Sequence, residues 1–187
     1  MPHFGFGELM LAIVVPTALA ASWMDYRFHR VPNSLNAAIA ATGLAAQSAF
    51  FGWSGLSAAL LGMLVGFGML VLLWAIKGMG AGDVKFMAAI GAWLGPVMAF
   101  YAVCVGALIG GALALALIAA RRDWCQAYAN LGVLMAKVSS TKTAFSEFGS
   151  AKSMTRPGVS VLPYAIPLSL GALIVLVSNY SGWWEVL

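Results

Sequence analysis

Residues 78–85 read Gly-Met-Gly-Ala-Gly-Asp-Val-Lys and follow a long apolar run that ends at Ile76. A second apolar run, Phe86–Leu94, begins directly after them. Three glycines among five residues allow the backbone to bend sharply and let other groups approach the carboxylate of Asp83. A charge in hydrocarbon is costly unless it is compensated, so an acid between two apolar runs is a candidate functional residue. The alternative is a flexible interhelical loop that contains an Asp.

The composition indicates that these apolar runs cross a membrane. The chain is 62% hydrophobic and 9% charged, with a mean hydropathy of +0.92, whereas soluble domains are about half apolar and a quarter charged. We therefore predict an all-α, polytopic membrane protein that forms a single domain over residues 1–187. Cys104 and Cys125 form no CxxC pair, so neither a disulfide framework nor a zinc site is indicated.

Six transmembrane helices are predicted from the apolar segments. The first, at about Phe4–Met24, is a retained helix and not a signal peptide, because basic residues follow it and none precedes it. The others are predicted at about Ser34–Phe51, Leu56–Ile76, Asp83–Leu94, Val97–Ala120 and Val159–Tyr180.

Two breaks shape the middle of the chain, at residues 52–55 (Gly-Trp-Ser-Gly) and at Gly95-Pro96. The segment Asp83–Leu94 between the motif and the second break spans only about 18 Å as a helix, less than the ~30 Å hydrocarbon core. Irregular backbone at membrane depth is tolerated only where protein or a water-filled cavity surrounds it. Gly62 and Gly66 have GxxxG spacing, which we interpret as a structural packing contact.

The distribution of basic residues predicts the orientation. With six helices, all 10 Lys and Arg residues fall on one side of the membrane. By the positive-inside rule that side is cytoplasmic, so both termini lie outside. The long polar segment at about residues 121–158 becomes a cytoplasmic loop, either solvated or forming a helix on the membrane surface.

A second acid, Asp25, lies at the cytoplasmic end of the first helix, on the same side as Asp83. Two neighbouring carboxylates do not both ionise easily, so they share a proton, as in an aspartyl protease. The ionised member then takes a proton from the attacking water, and the protonated member donates to the peptide carbonyl oxygen. This chemistry requires no metal and no cofactor. The alternative is that Asp25 is an interfacial residue paired with Arg27 or Arg30.

Two motifs resemble those of the type IV prepilin peptidase family. They are the GxGD sequence that ends at Asp83, and Asp25 followed by Val-Pro-Asn at residues 31–33. The length, the six helices and the Pro-Tyr-Ala-Ile-Pro sequence at residues 163–167 resemble the short branch that serves tight-adherence (Flp) pili. Archaeal preflagellin peptidases share the GxGD fold and stay an alternative branch.

The resemblance implies an intramembrane aspartic endopeptidase of the bacterial inner membrane with Asp25 and Asp83 as catalytic residues. Such an enzyme removes the leader peptide from type IV or Flp prepilins and pseudopilins at the cytoplasmic face. Further partners would be the lipid bilayer and the pilus-assembly machinery, and no nucleic acid. Larger members carry CxxC motifs and methylate the processed pilin; this chain begins with its first helix and has no CxxC, so we expect no N-methyltransferase activity.

Five other residues receive weaker predictions. Gly80 and Gly82 are expected to shape the backbone around the acid. Lys85, Arg27 and Asn33 are candidate substrate contacts. Lys85 would meet an acidic residue that follows the cleavage site in family substrates, or it snorkels to lipid phosphates. Asn33 is alternatively a helix cap.

Two hypotheses from other functional classes compete with the peptidase. In a small proton- or cation-coupled transporter, Asp25 and Asp83 would form a relay. Against this, residues 95–187 show no counterpart of either acid, as an inverted repeat of residues 1–94 would require. The third hypothesis is a scaffold subunit of a secretion machine that has no chemistry of its own.

Overall fold

The computed structural model describes residues 5–28, 31–75, 79–121 and 164–181. Within these ranges every regular secondary-structure element is a helix, which confirms the predicted all-α class. Three of its helices are long and apolar enough to cross a membrane, and the last is a shorter apolar helix. The helices are α1 (Phe6–Phe28), α2 (Asn33–Ala75), α3 (Ala81–Arg121) and α4 (Ala165–Tyr180).

Helix α2 contains one residue outside helical geometry, Gly52, with φ 63° and ψ −137°. A Cβ atom on Gly55 would contact the backbone of Gln47, although residues eight positions apart in a straight helix are about 12 Å apart. The chain therefore reverses direction at Gly52. The predicted break is confirmed there, but its predicted extent to residue 55 is wrong, because helical backbone resumes directly after the glycine.

Helix α3 is interrupted in the same way at Gly95, with φ 73° and ψ 176°. A left-handed φ favours glycine, and the following Pro96 has no N–H to donate to the preceding turn. Carbonyl groups before the break therefore lose their helical donors. Gln47 compensates for one of them, since its Nε2 donates to the carbonyl oxygen of Trp93 at 3.1 Å. The predicted break at Gly95-Pro96 is confirmed.

Residues 81–94, the first half of α3, form the centre of the bundle. Four of the largest fully buried side chains belong to this stretch: Phe86, Met87, Ile90 and Trp93. The Nε1 atom of Trp93 donates to the carbonyl oxygen of Ile39 at 3.0 Å, so no polar atom of the indole side chain is left unpaired. This short helix is buried by protein on most sides, as irregular backbone at its ends requires.

Glycines bring the second half of α2 against this central helix. A Cβ on Gly62 would contact the carbonyl oxygen of Gly91, and a Cβ on Gly91 would contact that of Gly62. A Cβ on Gly66 would lie 2.5 Å from the carbonyl oxygen of Met87. The GxxxG pair in α2 therefore packs against the helix that carries Asp83, which confirms its interpretation as a structural contact.

Helix α4 packs between α1 and the second half of α3. The Ser169 hydroxyl donates to the carbonyl oxygen of Ala18 at 3.3 Å, and Gly7 lies beside the Tyr180 ring. Helices α1 and α4 are therefore antiparallel. A Cβ on Gly171 would lie 2.5 Å from the carbonyl oxygen of Ala102, so close packing also joins α4 to α3.

Some predicted boundaries change. Helix α1 continues to Phe28 instead of ending near Met24, so Asp25 lies within its last turns. Helix α4 is described from Ala165. The loop predicted at residues 121–158 lies, apart from Arg121, outside the described residues. So does the predicted start of the last helix at residues 159–163.

Candidate active site

Asp83 lies in the first turn of α3 and is only 8% exposed. Its backbone N–H donates to the carbonyl oxygen of Gly80 at 3.2 Å, which closes the turn that starts the helix. The side chain folds back over the same residue, because a Cβ on Gly80 would lie 3.1 Å from Asp83 Oδ2. The missing side chain at Gly80 therefore leaves the room that the carboxylate occupies.

Asp25 lies near the end of α1 and is 6% exposed. Its Oδ2 accepts a hydrogen bond from the backbone N–H of Ala165 at 3.1 Å. That N–H opens α4, where backbone donors have no partner within the helix and the helix dipole favours an anion. Burial at this level does not fit an exposed interfacial carboxylate. Arg27 is exposed, and Arg30 lies outside the described residues.

The structure brings the two acids together. Asp25 lies close enough to Asp83 for the two carboxyl groups to interact electrostatically. One comes from the end of α1 and the other from the start of α3, and the start of α4 lies against them through Ala165. The arrangement can provide two carboxyl groups that share a proton in a site largely shielded from solvent.

Asn36 is a site residue that the sequence analysis missed. It is 5% exposed, and its Nδ2 donates to the carbonyl oxygen of Gly82 at 3.4 Å. This contact ties α2 to the residue directly before Asp83. A signal was present, since a polar amide in an apolar helical segment is itself a candidate functional residue. The predicted site residues were the charged residues, the two motif glycines and Asn33, and Asn36 was not among them.

Two of the three predicted substrate contacts, Lys85 and Asn33, are hydrogen-bonded to each other. Lys85 is exposed, and its Nζ donates to Asn33 Oδ1 at 3.1 Å. Arg27 is exposed and belongs to α1. The two glycines of the motif also differ, because a Cβ on Gly82 would make only ordinary contacts at 3.8 Å with the backbone of Val31. A side chain would therefore crowd its neighbour at position 80 but not at position 82.

A family model described as the Type IV leader peptidase family matches residues 12–115, more than half of the chain. The chain belongs to this family. Both acids of the buried pair lie inside the matched region of this leader peptidase. No curated protein and no solved structure matches the chain significantly.

Family membership establishes the general role and confirms the resemblance seen in the sequence. The protein is a membrane-embedded peptidase, and prepilins are the substrate class. A peptidase is favoured over the transporter and the scaffold subunit, since neither of those would need a leader peptidase domain. Within the described ranges, no group of three or more His, Cys, Asp or Glu side chains is arranged to bind a metal ion.

The leader peptidase also has an open groove of about 470 Å³, in the range typical of ligand sites, on the side of α3 that carries Lys85. The two halves of α2 and the start of α3 form its walls. Its polar end carries Asn33, Asn36 and Lys85. The rest of its lining is apolar and consists of Ala37, Ala40, Met63, Phe67, Ala88 and Ala89.

Proposed function

We propose that this leader peptidase is an aspartic endopeptidase in which Asp25 and Asp83 together cut the leader from type IV or Flp prepilins. The observation that carries the proposal is the meeting of two buried carboxyl groups from α1 and α3 at electrostatic range. Aspartate side chains are rarely buried without a partner or a function.

The chemistry follows from a shared proton. The ionised carboxylate takes a proton from water as the water oxygen attacks the scissile carbonyl carbon, and the protonated partner donates to the carbonyl oxygen. The C–N bond then breaks as one hydroxyl of the tetrahedral intermediate returns its proton to the carboxylate that had donated it and the carbonyl forms again. The leaving amine takes a proton from the acid that received one from water. The N–H of Ala165 holds Oδ2 of Asp25 in a fixed orientation during these steps.

The direct test is co-expression with a small prepilin encoded in the same genome. Leader removal is expected to appear as a gel shift, with the new N-terminus measured by mass spectrometry. An unchanged prepilin in the presence of well-expressed, membrane-inserted enzyme would contradict the proposal.

We further propose that six segments cross the inner membrane and that the cut occurs at its cytoplasmic face. The breaks at Gly52 and Gly95 support this, because each divides one long helix into two segments. Both acids then lie on the side that carries all 10 basic residues. We propose that residues 1–187 act as one domain with a cytoplasmic loop at residues 121–158, without methyl transfer, since Cys104 and Cys125 form no CxxC motif.

The orientation predicts opposite locations for two reporter fusions. A reporter fused after Arg156 is expected to be cytoplasmic, and one fused after Leu187 periplasmic, because the basic residues set the side of each loop. Paired alkaline phosphatase and fluorescent protein fusions measure this. A cytoplasmic C-terminus would refute the six-span proposal.

The two motif glycines are expected to respond differently to alanine. Gly80→Ala places a Cβ 3.1 Å from Asp83 Oδ2, so the carboxylate must move, and a small displacement of a catalytic group costs roughly tenfold or more in rate. Gly82→Ala meets nothing closer than 3.8 Å and should stay within about threefold of wild type. Initial cleavage rates at matched enzyme levels test this. Equal losses in both variants would show that the contact with Asp83 is not what Gly80 provides.

A further inference from the structure

We infer that the groove lined by Asn36 and Lys85 binds an extended apolar segment of the substrate, and that the side-chain oxygen of Asn36 accepts a backbone N–H from it. This inference rests on the proposed function. It adds a binding subsite for the peptide chain and one residue that positions it.

The position of Asn36 couples the groove to the acids. Asn36 lines the groove and at the same time donates to the carbonyl oxygen of Gly82. A peptide that contacts Asn36 would therefore meet a side chain that is hydrogen-bonded to the residue directly before Asp83. The amide joins the groove wall to the aspartate motif, so a bound chain and the carboxylate are held in a fixed relation.

The side-chain oxygen of Asn36 lacks a hydrogen-bond donor, and this is the observation that points to a ligand. Oδ1 is buried and has no hydrogen-bond partner within the part of the chain that the structure describes. A buried acceptor without a donor costs about 1–3 kcal/mol, and most such atoms in folded proteins are satisfied. Among the other lining residues, Asn33 and Lys85 bond to each other and the rest are apolar. The missing donor would therefore come from an occupant of the groove.

A peptide fits this requirement better than a lipid. An acyl chain has no donor, whereas an extended peptide presents a backbone N–H to one side at every second residue. The apolar lining suits apolar side chains, with four alanines leaving space and Met63 able to adapt its shape. Phe67 is 44% exposed and offers an aromatic surface for such side chains.

The hydrogen bond can be tested with peptides that span the leader, the cut and the next apolar residues of the cognate prepilin. In each peptide one backbone amide is replaced by an ester, which removes one N–H. With wild-type enzyme, one ester near the cut is expected to raise KM about tenfold with little change in kcat. For Asn36→Leu, the KM of the all-amide peptide should already be raised about tenfold over wild type. Replacing the same amide by an ester should then leave the KM of this variant unchanged.

Other outcomes would overturn the inference. If Asn36 only supports the fold, Asn36→Leu lowers turnover of all peptides alike and stays sensitive to every ester that affects wild type. If a water satisfies Oδ1, no single ester changes the KM of the wild-type enzyme. Failure of wild-type enzyme to cut the all-amide peptide would instead refute the proposed function.

Filling the groove gives an independent test. Ala37 and Ala38 are neighbours on α2 and both exposed, but only Ala37 lines the groove. Ala37→Trp is expected to raise KM at least about tenfold, and Ala38→Trp to leave KM unchanged. Thermal unfolding in detergent checks both folds, and Ala40→Phe replaces Ala37→Trp if the latter is unstable. The groove would be a lipid site instead if Ala37→Trp and Ala38→Trp had equal KM values and only Ala37→Trp lost co-purified phospholipid.

Discussion

Asp25→Asn and Asp83→Asn are each expected to abolish prepilin cleavage, with a loss of roughly 10⁴-fold or more. An amide cannot take a proton from water, and it cannot share a proton with a neighbouring carboxylate. Because each turnover requires both carboxyl groups, either substitution alone removes the whole activity. The shape of the side chain is kept, so the contact between residue 25 and the N–H of Ala165 can persist through the amide oxygen. Leader removal is measured by gel shift at matched membrane levels of each variant.

Glu8→Gln supplies the control for a lost negative charge. Glu8 is exposed in the first turn of α1, at the far end of that helix from Asp25, and its substitution should leave the rate unchanged. The proposed pair would be wrong if either single Asp variant processed prepilin at near the wild-type rate. Chelators should leave wild-type turnover intact. Loss of turnover in a chelator, restored by zinc, would show that the aspartates bind metal.

The two acids and the two breaks were predictable because their signals are local. A carboxylate next to apolar runs stands out against a chain with only 6 acidic residues, and the positive-inside rule predicts that Asp25 and Asp83 lie on the same side. Gly95 followed by proline cannot continue a helix. At Gly52 the break was overestimated, because the polar residues after it also tolerate helical geometry.

The contacts that complete the site could not be predicted from local patterns. Ala165 meets Asp25 across 140 positions of sequence, so their pairing depends on how α4 packs against α1. Asn36 carries no charge, and only the approach of Gly82 shows what its amide does. The difference between Gly80 and Gly82 likewise arises from which atoms surround each one, although both occupy the same short motif.

Gly62→Ala is expected to destabilise the protein at the upper end of the ~1–3 kcal/mol typical of overpacked sites, or beyond it. The added Cβ would overlap the carbonyl oxygen of Gly91, which belongs to helix backbone and cannot rotate away as a flexible side chain can. The helices must separate instead. Because the separated helix carries Asp83, cleavage should fall together with stability. Thermal unfolding in detergent and the prepilin assay measure the two effects.

Gly68→Ala is the matched control, because it makes the same substitution in the same helix. Gly68 is exposed, and a Cβ there would meet nothing within 4 Å. Alanine is the better helix former by about 1 kcal/mol, so this variant should unfold at the same or a higher temperature than wild type. The two alanines are therefore expected to shift stability in opposite directions. Equal behaviour of the two variants would mean that the backbone contact between Gly62 and Gly91 does not hold α2 against the helix of Asp83.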